Sequence, residues 1–234
     1  MRFYALLLLV GLSAGACTYL PEPESVAAGT TVSENRTAIT VTTTRGVAST
    51  TGFIFYPGAL VDPHAYVGLM ELLADAPPGY RVFIAKVPAN LAVLQPEAAR
   101  SIMDEHPEIR TWVIGGHSLG GAMACTWVRR NPESVRGLVL LAAYPAGADN
   151  LSGWSGGVLS VYGTNDEVLN AVALAEAKDR LPKQTITTTI AGGNHAYFGN
   201  YGEQKGDGTA TVSRREQQLE TARQFIGFMK TLGL

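Results

Sequence analysis

Short apolar runs alternate with amphipathic stretches along most of this chain. The runs are Thr51–Tyr56, centred on Phe53-Ile54-Phe55, then Tyr80–Val87, Trp112–Ile114, Gly137–Ala143, Val158–Tyr162 and Thr185–Ile190. Each has the length and β-branched or aromatic content of a buried strand. Leu138-Val139-Leu140-Leu141 is apolar on both faces, as an interior strand of a parallel sheet must be. Earlier, Thr37–Arg45 alternates through Ile39 and Val41 and predicts an edge strand.

Between the runs the apolar period lengthens to that of a helix. Asp62 before Pro63 predicts an N-cap with proline at the first helical position. The helix it opens carries Tyr66, Leu69, Met70 and Leu73 on one side and stops near Pro77-Pro78-Gly79. Further helices are predicted over Gln95–Glu105, Ala122–Arg130, Ala171–Leu181 and Arg215–Leu232. The last predicts a core-facing stripe of Leu219, Ala222, Phe225, Ile226 and Met229. Strands alternating with helices specify an α/β fold around a mostly parallel sheet.

The first residues stand outside this pattern. Met1-Arg2 is followed by an apolar stretch, Phe3–Ala16, that is shorter than the ~20 residues of a membrane span and suits a secretory signal. Ala14-Gly15-Ala16 before Cys17 resembles a bacterial lipobox, in which the cysteine becomes the lipidated N-terminus. Lipoboxes favour Leu where Ala14 stands, and the same residues also read as an ordinary A-x-A cleavage site at the same bond. The expectation is a signal peptide over residues 1–16, lipid on Cys17 and a polar tether over 17–36. The mature protein would then be anchored on the extracytoplasmic side of a membrane in a bacterial envelope. The globular domain is expected over 37–234.

Composition narrows the possibilities further. The 234 residues are 46% hydrophobic and 16% charged, enough for one domain with a sizeable core. A formal charge of −2 offers nothing to nucleic acid. Cys17 and Cys125 are the two cysteines. With Cys17 lipidated, Cys125 has no disulfide partner and reads as a small core residue. No cofactor is expected. No metal is expected either, since His, Asp and Glu are nowhere clustered at ligand spacing.

The chemistry centres on Gly116-His117-Ser118-Leu119-Gly120, a G-x-S-x-G motif with a strand before it and a helix after it. That context is what gives the motif meaning. A sharp strand-to-helix turn forces the serine into a strained backbone, lifts its hydroxyl to the sheet edge, and sets a helix N-terminus beside it. Small residues on both sides let strand and helix approach closely.

With these residues the chain resembles the α/β-hydrolase superfamily, most of all its small, lid-poor, dienelactone-hydrolase-like esterase branch. The resemblance spans roughly residues 50–232. It implies a mostly parallel sheet of about seven strands flanked by helices. The superfamily keeps an acid after the strand that Val158–Tyr162 matches, which selects Asp166, with Glu167 beside it and Asp149 as a rival. It keeps a histidine after the last strand, which selects His195 in Gly192-Gly193-Asn194-His195. The order Ser118, Asp166, His195 is that of the superfamily. The backbone N–H groups of Leu119 and Ala59 are implied as oxyanion donors, although Tyr56-Pro57-Gly58-Ala59 replaces the usual His-Gly. Tyr144–Gly157, where many relatives insert a cap, is too short to hold one. The long Gly-rich loop over 196–213, with Phe198-Gly199-Asn200-Tyr201-Gly202, resembles a segment of bacterial lipoproteins of this type.

The remaining histidines take other positions. His117 lies inside the motif, His64 follows the Thr51–Tyr56 strand, and His106 sits among acids at a helix end. Asn90 either faces the pocket or closes a turn. Asp207 either holds a turn or, less simply, a metal. The expected activity is hydrolysis of small carboxylic esters through an acyl-enzyme. The alternatives are a non-catalytic envelope ligand-binding module on the same fold, or transfer of the acyl group to an acceptor other than water.

Overall fold

The computed structural model describes residues 18–23, 27–45 and 49–234. The expected signal segment 1–16 and the expected lipidation site Cys17 lie outside the described residues. Among those described, no helix is long and apolar enough to cross a membrane.

Eight strands form one sheet in the order β1-β2-β4-β3-β5-β6-β7-β8. They are β1 (Thr30–Glu34), β2 (Ala38–Thr43), β3 (Thr51–Tyr56), β4 (Arg81–Ala85), β5 (Thr111–His117), β6 (Gly137–Leu141), β7 (Gly157–Gly163) and β8 (Ile186–Ile190). β1 and β2 pair antiparallel at one edge, and every pairing from β4 to β8 is parallel. The helices are α1 (Val67–Ala74), α2 (Ala98–Glu105), α3 (Leu119–Arg130), α4 (Ala171–Ala177) and α5 (Arg214–Thr231). This is the α/β-hydrolase fold. β6 passes to β7 through residues 142–156, and no cap is inserted there.

The two sheet faces build two cores. Phe53, Phe55, Val113 and Val139 meet α1 and α5, where Leu69, Met70, Phe225 and Met229 lie buried. Ile54, Phe83, Ile114 and Leu140 meet α2 and α3, with Ile102, Cys125 and Trp127. Period-two alternation sends successive side chains to opposite cores, and both are apolar. Cys125 is fully buried, and burial pushes its thiol well above the usual range, which leaves it an inert core residue.

Asp62 caps as expected, its carboxylate accepting the N–H of His64 at 2.9 Å, but Pro63–Tyr66 forms a 3₁₀ turn before α1 begins. α2 starts at Ala98, later than the expected Gln95, after a separate 3₁₀ turn over Ala92–Leu94. Ser213 and Glu216 close a capping box at the start of α5.

Three further expectations are corrected. β2, expected at the edge, is paired on both sides, by β1 and β4. Residues 17–36 are not wholly a tether, because Thr30–Glu34 is the edge strand β1 and Tyr19 forms a parallel bridge with Val61. TTVSE carries one apolar residue, Val32, too little alternation to announce a strand. It is held by backbone pairing to β2, by the Thr30 hydroxyl donating to Glu71 at 2.7 Å, and by Val32 packed on the core. The stripe of α5 is also displaced: Leu219 is exposed, while Gln217, Gln218 and Phe228 are buried with Ala222, Phe225 and Met229.

Candidate active site

Parallel strands end on one edge, and the loops leaving β3 to β8 gather there. Ser118 joins β5 to α3 with φ 53° and ψ −123°, a sparsely populated backbone for a residue with a side chain. The turn closes because nothing flanks it. A Cβ on Gly120 would lie 2.1 Å from the Tyr56 carbonyl oxygen, and one on Gly116 would lie 2.5 Å from the Gly120 carbonyl carbon. The Ser118 N–H donates to the Leu141 carbonyl at 2.9 Å, which ties the turn to β6.

His195 follows β8 and is fully buried, with its Nδ1 2.9 Å from Oδ2 of Asp166. The Asp166 side chain is 1% exposed, and its Oδ1 accepts the N–H groups of Val168 (3.0 Å) and Leu169 (2.8 Å). A carboxylate held at both oxygens fixes the imidazole and leaves the far nitrogen, Nε2, with no hydrogen-bond partner.

Ser118 and His195 line the same cleft, with a volume of ≈270 Å³ and walls of Leu119, Ala122, Ala143, Val168 and Leu169. Leu119 is the first residue of α3, where backbone N–H groups have no intrahelical acceptor. Ala59 is not among the lining residues. It belongs to the turn after β3, whose backbone packs directly against Gly120. Asp149 is engaged elsewhere, accepting from Thr126 and Arg129, and Glu167 is exposed. Larger hollows, ≈460 Å³ beside α4 and ≈660 Å³ between α1 and α5, include neither Ser118 nor His195.

The other histidines divide clearly. His64 binds Asp62 and Glu34 at the surface, and His106 packs on Phe83. His117 lies behind the site, its ring centroid 4.5 Å from that of His195. Its Nδ1 is 2.8 Å from the Tyr66 hydroxyl, which also accepts the Gly58 N–H at 3.0 Å. The Gly58 N–H can only donate, so the phenol hydrogen is free to go to Nδ1. The opposite tautomer would strand that buried hydrogen as well as Nε2. Burial, and after it the proximity of His195, hold His117 well below the usual imidazole range, so it is neutral. Asn90 closes a turn at φ 53°, and its carbonyl accepts the Leu60 N–H.

Two contributing residues went unrecognised in the sequence. Asp207 accepts the backbone N–H groups of His195 and Ala196, and Gln217 brackets Asn194 by accepting its N–H and donating to its carbonyl. Asp207 reads as holding a turn or a metal, and Gln217 carries no reading. The usable signal was the capping box at Ser213, which starts α5 early enough to bring Gln217 toward β8. Among the described residues, no group of three or more His, Cys, Asp or Glu side chains is placed to hold a metal ion.

The eight-stranded sheet, the strained serine between β5 and α3, and a histidine and acid at the ends of later strands define an α/β-hydrolase architecture. Residues 52–219 match the Alpha/beta hydrolase family, and the chain belongs to it. No curated protein matches it in sequence. Among solved structures, it is similar to a monoacylglycerol lipase from Paleococcus ferrophilus (15% identity, 77% of this chain and 94% of that one, TM-score 0.58). It is also similar to Est1E from Butyrivibrio proteoclasticus (11% identity, 88% and 99%, TM-score 0.59). A third is an alpha-beta serine hydrolase homologue from Coxiella burnetii (12% identity, 88% and 99%, TM-score 0.59). At these identities the likeness is one of fold.

Proposed function

We propose that the protein is a serine hydrolase of small carboxylic esters, exported and held to a membrane by lipid on Cys17. The observation that carries the activity is the cleft shared by Ser118 and His195, with Asp166 fixed behind the histidine. In the reaction, Ser118 Oγ bonds to the acyl carbon as His195 Nε2 takes the hydroxyl proton. The negative oxygen of the tetrahedral intermediate lies at the N terminus of α3, where the Leu119 N–H donates. The turn at Ala59 supplies the second donor. One such donor is worth about 3 kcal/mol of barrier. His195 then hands its proton to the departing alkoxide. Water repeats the sequence on the acyl-enzyme and releases the acid.

Asp166 holds the tautomer that leaves Nε2 free to act as base. The lining is mostly apolar and the volume falls just below the ~300–1,000 Å³ of drug-sized pockets, which suits a short acyl or alcohol group. One neighbour of the same fold is a monoacylglycerol lipase, a precedent for ester chemistry on this architecture.

Labelling with a fluorophosphonate serine probe tests the reading. Wild type should label, and Ser118→Ala and His195→Ala should not. A folded wild type that stays unlabelled would turn the assignment to a ligand-binding module. Adding an alcohol acceptor and analysing products separates hydrolysis from acyl transfer.

A further inference from the structure

The described chain begins at the edge of the sheet that carries the cleft. Tyr19 donates its N–H to the Leu60 carbonyl at 2.8 Å, and its carbonyl accepts the Asp62 N–H at 2.9 Å. Its ring packs on Tyr201 at 5.3 Å, and the Glu22 N–H donates to the Asn200 carbonyl at 2.8 Å. Arg214 binds the Glu22 carboxylate. Residues 19–22 are thus strapped across the loops that follow β3 and β8. Cys17 is two residues from Tyr19, a reach of roughly 7 Å at full extension.

The exposed apolar residues are segregated in the same way. Among the described residues, large apolar side chains stand exposed at seven positions. Five of them, Leu20, Val93, Leu94, Val168 and Val172, belong to the strap or to segments leaving the C-terminal ends of β4 and β7, at 36–68% exposure. Ile186 and Leu219 are the other two. Single exposed apolar residues are ordinary. Their gathering on one edge, where the chain also enters the fold, is not.

We infer that the cleft-bearing edge is the face the protein lays on a lipid bilayer, and that its substrates are esters presented at that bilayer surface. The inference rests on the proposed hydrolase activity and on lipid at Cys17. An anchor so close to Tyr19 cannot let the domain turn its cleft away while the strap stays docked. Val93, Leu94 and Val172 then enter the interfacial layer around the mouth. With no cap to open, an amphiphilic ester passes from the bilayer to Ser118 by lateral and vertical motion alone.

The full chain, made with its own N-terminus in a bacterial host and recovered from membranes in detergent, is returned to phosphatidylcholine vesicles for the test. An environment-sensitive fluorophore is placed on Val93→Cys or Val172→Cys at the rim, or on Glu133→Cys at the opposite edge. Buried Cys125 stays unlabelled in the folded chain. Brominated acyl chains should quench the rim probes several-fold more than the probe at position 133. Equal quenching, stronger quenching at 133, or recovery of the chain outside the membrane fraction overturns the inference. A concentration-dependent blue shift at the rim without vesicles gives the face to a second copy and also overturns it.

A second arm uses the Val93→Ser, Leu94→Ser, Val172→Ser triple variant, whose residues lie outside the cleft lining. Turnover of a water-soluble ester should stay within about two-fold of wild type, while turnover of a vesicle-borne ester falls about ten-fold or more. Equal losses on both substrates overturn the inference. A wild type inactive on both removes the hydrolase reading, while the quenching still decides the orientation.

Discussion

The carboxylate of Asp207 accepts the backbone N–H of His195 at 3.1 Å and that of Ala196 at 2.8 Å. The imidazole is therefore held from two directions, its ring by Asp166 and its main chain by a residue of the loop that follows. The rest of that loop is tied down nearby, with Asn194 donating to the Gly208 carbonyl and Asn165 to the Thr209 carbonyl.

Asp207→Ala removes both acceptors and leaves two backbone donors beside the site to find water. We expect a loss of about 1–3 kcal/mol in stability, read from urea unfolding. Ester turnover should fall about ten- to a hundred-fold with KM little changed, because a displaced base harms the reaction more than binding. Asp207→Asn, which keeps one acceptor, should recover part of the turnover. Wild-type kinetics in Asp207→Ala would remove the residue from the positioning of His195.

Asp166→Asn and Asp149→Asn separate the two acids after neighbouring strands. The first should lower kcat by about four orders of magnitude, as loss of the tautomer-fixing carboxylate does in other serine hydrolases. The second weakens the buried contacts to Thr126 and Arg129 and should reduce thermal stability with turnover nearly unchanged. The reverse pattern would exchange their roles.

Tyr66→Phe tests the link from α1's leading turn to the loop after β3. It strands the Gly58 N–H and His117 Nδ1 together, both buried, at a cost of about 1–3 kcal/mol. The Pro57-Gly58-Ala59 turn loses its anchor beside the serine, so kcat should also drop. A variant with unchanged kcat and lowered stability would confine Tyr66 to packing.

His117 imposes a pH dependence on folding. It is neutral when folded, whereas the unfolded chain protonates it below about pH 6.5. The unfolded state then binds more protons, so stability falls as pH drops from about 7 to 5. His64 works the other way. Against burial, which lowers it, hydrogen bonds to Asp62 and Glu34 raise its value. Its contribution is present at low pH and lost as pH rises, and surface exposure keeps it small. Melting curves at pH 5, 6 and 7 should show the net decline. His117→Asn, whose amide oxygen can still accept from Tyr66, should flatten it. An unchanged slope would mean that other groups set the acid sensitivity.

Strand and helix periods, the Gly116–Gly120 turn and the short segment after β6 could be read along the chain, because each is a pattern of near neighbours, while Asp166 and His195 are picked out only through the resemblance to the superfamily. Apolar spacing records which face an element buries, and a G-x-S-x-G turn is local geometry. β1 escaped because it buries only Thr30, which bonds Glu71, and half-buries Val32, too little apolar pattern to mark a strand. The sheet order, with β4 outside β3, also carries no local mark. Leu219 faces solvent and Gln217 lies inside, where it bonds the main chain of Asn194, a contact that helical spacing does not record. Asp207 reaches His195 across twelve residues of loop, and Tyr66 reaches His117 across fifty-one. Such contacts follow from chain closure in three dimensions. Periodicity records burial, but a hydrogen bond between distant residues is settled only when the whole sheet has brought their elements together.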